Sequence, residues 1–196
     1  LLHAQSTDRV LLFGSDGKFY TIAVEKLPRG RGHGEPVRVS VDLAAEHEIV
    51  ALFVHDPERK LLIASSDGRG FVVPEKEVVA QTRAGKQALN VAEGAVARVC
   101  TPANGDHIAS LGENRKLLIF PAAELPEMTR GRGITLQKFK QGGLADAKLF
   151  ALDQGLEVKT GAKSRIYANA EIKDWVGQRA KAGRLPPAGF TRTRKF

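Results

Sequence analysis

Four copies of one pattern run along this chain, and their spacing limits what it can fold into. One landmark is a polar turn between two apolar runs. It reads Gly14-Ser15-Asp16-Gly17-Lys18, then Ser65-Ser66-Asp67-Gly68-Arg69, Gly112-Glu113-Asn114-Arg115-Lys116 and Thr160-Gly161-Ala162-Lys163-Ser164. A second landmark is an Arg followed six residues later by an aliphatic: Arg31 and Val37, Arg83 and Leu89, Arg130 and Leu136, Arg179 and Leu185. The first advances by 51, 47 and 48 residues and the second by 52, 47 and 49. Two landmarks moving in step mark real repeats, and a period of this size means a solenoid or a propeller-like array.

The content of each repeat selects between these. Val10-Leu11-Leu12-Phe13 and Phe19-Tyr20-Thr21-Ile22 flank the first turn. Leu61–Ala64 with Phe71–Val73, His107–Leu111 with Leu117–Phe120, and Leu156–Lys159 with Arg165–Tyr167 repeat the arrangement. Short aliphatic runs bounded by Gly and Asp are hairpin signals. A short acidic-apolar stretch follows each hairpin: Glu25–Leu27, Glu75–Val78, Ala123–Leu125 and Glu171–Lys173. Each is long enough for one helical or 3₁₀ turn only. Two further strands are expected to close each unit: Val37–Val41 with Ile49–Val54, Leu89–Val91 with Val96–Val99, and Ile134–Phe139 with Ala147–Leu152. The expectation is an all-β array of about four four-stranded blades forming one domain over 1–196. Blade 1 covers about 9–54, blade 2 about 55–101, blade 3 about 102–150 and blade 4 about 151–196.

Between these strands each repeat carries a basic, Gly-rich turn. These are Pro28–Gly34 with Arg29 and Arg31, Thr82–Lys86 with Arg83 and Lys86, Thr129–Gly133 with Arg130 and Arg132, and Gln178–Arg184 with Arg179, Lys181 and Arg184. Gly permits close backbone approach and frees N–H donors, while the Arg fork matches phosphate oxygens. The net charge of +8 is unevenly placed. Residues 1–158 hold twenty Lys and Arg against twenty Asp and Glu, whereas 159–196 hold ten against two. Lys163 and Arg165 belong to that excess. Asymmetric positive charge on a folded unit favours a polyanion. The charge alone fits nucleic acid or an acidic membrane surface; with two Tyr, one Trp and nine Phe, several of them in strand positions, single-strand stacking platforms are disfavoured and binding to a duplex backbone is favoured.

Several other classes fall away. No apolar run approaches the length of a membrane span, and Leu1-Leu2-His3-Ala4 lacks the anatomy of a signal peptide. Without an initiator Met the chain is expected to be a piece of a longer polypeptide. A lone Cys100 fits a reducing cytoplasm. The five His are scattered without ligand spacing, so no metal site is expected. Gly30, Gly32 and Gly34 lack the strand-to-helix crossover of a dinucleotide site.

The ordered motifs resemble a known family. Leu27–Pro36, Arg83–Leu89 and Leu125–Gly133 are similar to three successive blade segments in the C-terminal domain of ParC, the bacterial topoisomerase IV member of the gyrase A and topoisomerase IV family. The resemblance covers essentially the whole chain. It implies a β-pinwheel, a propeller-like disc whose blades exchange strands and bind DNA on the outer rim. It further implies a non-catalytic domain that positions and bends duplex DNA for ATP-dependent strand passage in decatenation and relaxation, in the cytoplasm at the nucleoid. Its partners would be duplex DNA, the rest of the same polypeptide and the ATPase partner (ParE); ATP and Mg²⁺ would serve the intact enzyme and not this domain. The related gyrase domain wraps DNA through Gln-Arg-Arg-Gly-Gly-x-Gly, where this chain reads Pro28-Arg29-Gly30-Arg31-Gly32-His33-Gly34, a departure that favours the topoisomerase IV branch. Pro186-Pro187 replaces a strand run in the fourth repeat, so a closed and an open disc both stay open as readings. A protein-interaction propeller is the competing class, weakened by the missing Trp-Asp signature.

Overall fold

The computed structural model describes residues 2–27, 35–190 and 192–196. Among these residues thirteen strands follow in order. The first repeat gives β1 (Arg9–Gly14), β2 (Lys18–Ala23) and β3 (Ile49–Val54); the second gives β4 (Lys60–Ser65), β5 (Arg69–Pro74), β6 (Lys86–Gln87) and β7 (Ala97–Pro102). The third gives β8 (His107–Gly112), β9 (Leu117–Pro121), β10 (Ile134–Thr135) and β11 (Leu144–Phe150), and the fourth β12 (Leu156–Thr160) and β13 (Lys163–Tyr167). The expected short helical turns lie at Val24–Lys26, Glu75–Val78, Ala122–Glu124 and Asn169–Trp175.

The first three hairpins are closed by one local device. The Gly17, Gly68 and Arg115 N–H groups donate to the carbonyls of Gly14, Ser65 and Gly112. A polar residue stands just before each: Asp16 accepts from the Lys18 N–H, Asn114 from the Lys116 N–H, and Asp67 from the Ser65 hydroxyl. Gly17 and Gly68 have φ of 80° and 82°, which costs glycine nothing. Arg115 takes the same left-handed conformation at 65°, against the steric preference of an L side chain.

Sheet order shows how the repeats are joined. The first sheet runs β3-β1-β2-β6 and the second β10-β5-β4-β7. Thus β6 of the second repeat completes the first sheet, and β10 of the third completes the second. The third sheet, β11-β8-β9, receives Arg184 of the fourth repeat in an isolated antiparallel bridge to Leu117. The fourth consists of β12 and β13. This is the strand exchange that the family resemblance implies, in antiparallel sheets that have four, four, three and two strands among the described residues.

Three sequence expectations need correction. Val37–Val41, expected as a strand, begins with a 3₁₀ turn over Val37–Ser40. Pro36 at φ −59° enters it, and the Arg38 guanidinium fastens it by donating to the Ala44 and His47 carbonyls. Leu89–Val91 contributes an isolated bridge in place of a strand, because the pairing register falls earlier, at Lys86 and Gln87. The strand expected over Ile134–Phe139 stops at Thr135, since the Leu136 N–H donates to Gly68 and the Lys138 N–H to Lys181.

Strand alternation sorts the apolar residues into clusters between successive sheets. Leu11, Phe13 and Phe19 meet Leu61, Ile63, Phe71 and Val73. Leu62 and Ala64 meet Ile108, Leu118 and Phe120. Ala109, Leu111, Leu117 and Ile119 meet Leu156, Val158 and Tyr167. Burying each large side chain contributes about 1.5–3 kcal/mol. The outer face of the first sheet, with Leu12, Tyr20 and Ile22, is covered by Val41 and Leu43 of its own repeat. The outer face of the fourth presents Lys159, Ser164 and Ile166 to solvent. Tyr20 lies buried, and burial together with its hydrogen bond to Asp16 pushes the phenol well above its usual range. Cys100 packs against the first cluster, where burial likewise pushes the thiol far up.

Candidate nucleic-acid interface

Each described basic turn is a loop held at both ends on the edge of the preceding sheet. On β5, the Val72 N–H donates to the Pro126 carbonyl and the Met128 N–H donates back to Val72; Ile134 and Thr135 pair further along. Thr129–Gly133 bulges out between these two attachments. On β9, the Gly177 N–H reaches the Ile119 carbonyl, and Arg184 exchanges both backbone hydrogen bonds with Leu117. Gln178–Gly183 spans the interval. On β2, the Ala80 N–H donates to the Thr21 hydroxyl, and Lys86 and Gln87 pair with Phe19 and Lys18. The closing glycine of the third-repeat loop, Gly133, has φ 70°; a Cβ there would stand 2.3 Å from the Gly70 carbonyl oxygen.

The loops also contact the segment after the previous loop. The Asp42 N–H donates to the Arg83 carbonyl, the Asn90 N–H to the Gly131 carbonyl with Gly131 donating back to Ala88, and the Lys138 N–H to the Lys181 carbonyl with Ala180 donating back to Leu136. The described turns therefore follow one another along a single hydrogen-bonded course.

Individual side chains differ. Arg29 and Arg31 lie outside the described residues, as does His33. Arg83 is exposed and donates to the Val39 carbonyl at 2.8 Å, with Asp42 at 3.5 Å. Lys86, Arg130 and Arg132 are exposed, and among the described residues none has an ion-pair partner. Lys163 and Arg165 stand on the β12–β13 hairpin and not in a donated loop; Arg165 pairs with Glu171 at 3.0 Å and lies over the Tyr167 ring. Lys181 and Arg184 are exposed. Arg179 is half-buried: its Nη1 donates to the Thr135 carbonyl at 2.5 Å, and its backbone N–H donates to Glu124. That guanidinium braces one loop against the preceding repeat.

The structure adds two residues that strand alternation alone does not mark as functional. Lys138 and Lys140 flank Phe139 and, with Gln178–Ala182, line a groove of about 540 Å³. Lys138, Lys140, Arg179 and Lys181 give this groove four cationic side chains and, among the described residues, no carboxylate. The Lys-x-Lys alternation just past the Leu136 anchor is the signal that could have found it. Beneath lies Gln137, 1% exposed, whose Nε2 donates to the Lys116 and Ala182 carbonyls while its Oε1 accepts from the Ser110 hydroxyl. Gln137→Ala strands these buried groups and is expected to cost about 2 kcal/mol, read as a shifted urea midpoint with an unchanged slope.

A family model described as DNA gyrase C-terminal domain, beta-propeller, matches residues 8–56, 59–98 and 106–144. The chain belongs to that family. The matched segments contain the first three hairpins of this member of the family, and β12 and β13 lie beyond them. Among curated relatives, the DNA topoisomerase 4 A subunit of Caulobacter vibrioides is 46% identical over 198 residues and that of Rickettsia bellii 42% over 196. Both alignments take in the whole chain and 26% of the relative, so the chain spans about a quarter of the curated relatives it matches. Of solved structures, the E. coli ParC C-terminal domain superposes with a TM-score of 0.82 at 25% identity, over 96% of this chain and 80% of that one. A DNA gyrase A C-terminal domain shares the fold at TM-score 0.72 and 17% identity, over 95% of this chain and 64% of that one.

Proposed function

We propose that this domain binds duplex DNA along its basic loops and bends it, as the C-terminal DNA-binding domain of a topoisomerase IV ParC polypeptide. In that role it would hold a DNA segment for ATP-driven strand passage in decatenation and supercoil relaxation. The cleaving Tyr, the Mg²⁺ site and the ATPase would lie elsewhere in an assembly of this polypeptide with the ATPase partner, in the cytoplasm at the nucleoid. One domain of four blades would present the loops.

The observation that carries this reading is the hydrogen-bonded succession of Arg- and Lys-bearing loops, which ends in the cationic groove at Lys138, Lys140 and Lys181. Backbone contact needs cations spaced along a course and close approach at glycines, and it needs no base readout. Exposed Lys86, Arg130, Arg132, Lys181 and Arg184 supply them, with Arg83 partly shared with Asp42.

The test is a fluorescence-anisotropy titration with duplexes of unrelated sequence at several salt concentrations. If about six phosphates are engaged, log K should fall with log salt at a slope near −5. All duplexes should bind within a few-fold of one another. A flat salt response, or tight binding of one short sequence alone, would remove the proposal.

A further inference from the structure

The second strand of every hairpin offers its far edge to the next repeat. β2 takes Lys86 and Gln87, β5 takes Ile134 and Thr135, and β9 takes Val176 and Arg184 in isolated bridges. The same edge of β13 pairs with no strand among the described residues. Thr160 stands opposite Lys163 across the two-residue loop Gly161-Ala162, so that pair is the hydrogen-bonded one. Alternation then turns the backbone N–H and C=O of Ser164 and Ile166 outward. Lys163, Ser164, Arg165 and Ile166 are exposed, with Ile166 at 59%.

We propose that this edge is an acceptor for an extended acidic segment of a partner protein, which adds to β13 as a strand. The chain supplies the geometry three times over, because each other hairpin is extended at this edge by polypeptide. Chemistry narrows the occupant. Ser164 and Ile166 present donors and acceptors in alternation, which another backbone satisfies and a row of phosphates, offering acceptors only, does not. A second copy pairing through its own β13 would bring Lys163 and Arg165 against like charges, which is destabilising across a ladder. Lys159 lies on the opposite face, beside Ser164 and with Glu157, and Glu171 already engages Arg165, so Lys163 is the cation of this edge that has no ion-pair partner among the described residues. The fitting segment alternates carboxylates, facing Lys163 and Arg165, with aliphatics that pack on Ile166. The inference is independent of the DNA-binding proposal.

The experiment follows backbone amides of the ¹⁵N-labelled 196-residue chain during titration with two peptides of about eight residues, long enough to span such an edge, one alternating Glu and Val and the other Lys and Val. The Glu peptide should slow hydrogen exchange at Ser164 and Ile166 and leave the groove amides at 138–140 and 178–182 unmoved. The Lys peptide should bind at least about tenfold more weakly, as should the Glu peptide to Lys163→Glu. Because the peptide swap leaves the protein unaltered, a misfolded variant cannot imitate the result. The proposal is overturned if Ser164 and Ile166 gain no protection, if both peptides bind equally, or if protection rises with protein concentration alone. It is also overturned if a duplex of about two helical turns protects the same two amides.

Discussion

Glu75→Ala should cost this domain about 3–5 kcal/mol, the range for removing one partner of a buried ion pair. The Glu75 side chain is wholly buried and receives four polar groups. Arg59 donates through Nε at 2.6 Å and Nη2 at 3.1 Å, the Asp56 N–H donates at 2.8 Å, and the His55 Nδ1 lies 3.0 Å away. Arg59 also donates to the Val54 carbonyl and lies over the Phe53 ring. One carboxylate thus gathers the connection between the first and second sheets. Without it the guanidinium remains where water reaches it poorly, and a buried N–H loses its acceptor. At roughly 2–4 °C per kcal/mol for a domain of this size, the melting temperature should fall by about 10 °C. Glu75→Gln keeps the shape and some of the hydrogen bonds, so its loss should be smaller. A drop below about 1 kcal/mol for the Ala variant would mean that the cluster is solvated and contributes little.

The second large effect concerns DNA. Replacing Lys138, Lys140 and Lys181 together with Glu should weaken duplex binding about a hundredfold near 0.1 M salt and reduce the salt slope by about three. Reversing Arg83 and Lys86 should weaken it less, because Arg83 is already shared with the Val39 carbonyl and Asp42. Arg179 is left out of the groove variant deliberately. Its contacts are structural, so its loss would mix affinity with loop collapse. Circular dichroism should show both variants folded, since all five side chains are exposed. Equal loss in the two variants would shift the weight of binding away from the groove and toward an even rim.

The repeats are legible in the sequence because their signals are local. Asp16, Asp67 and Asn114 close turns with neighbours two residues away, and the aliphatic runs beside them carry the strand period. Partner choice is not legible. Nothing in Lys86-Gln87 or Ile134-Thr135 says that its ladder lies in the preceding sheet; the partners stand 64 to 69 residues apart, more than one repeat, and the pairing is decided by packing. The family resemblance, and not the period, supplies that expectation. The same limit governs single side chains. Arg179 and Lys181 read alike in a basic turn, yet one is held by the Thr135 carbonyl and the other is exposed to solvent. The alternation of Ile134–Phe139 points to a strand that would absorb Lys138, yet the strand ends early where Leu136 turns to Gly68.

Backward donation also sets an order in time. A ribosome releases the first hairpin long before Lys86 and Gln87, which β2 requires. The second sheet waits for Thr135 and the third for Arg184. With some thirty residues between Val54 and Lys86, and translation at about 5–20 residues per second, each nascent sheet keeps one bare edge for a few seconds. Synthesis therefore seals each unit only when the next is well under way, and a pause inside a basic loop would prolong the exposure of the edge behind it.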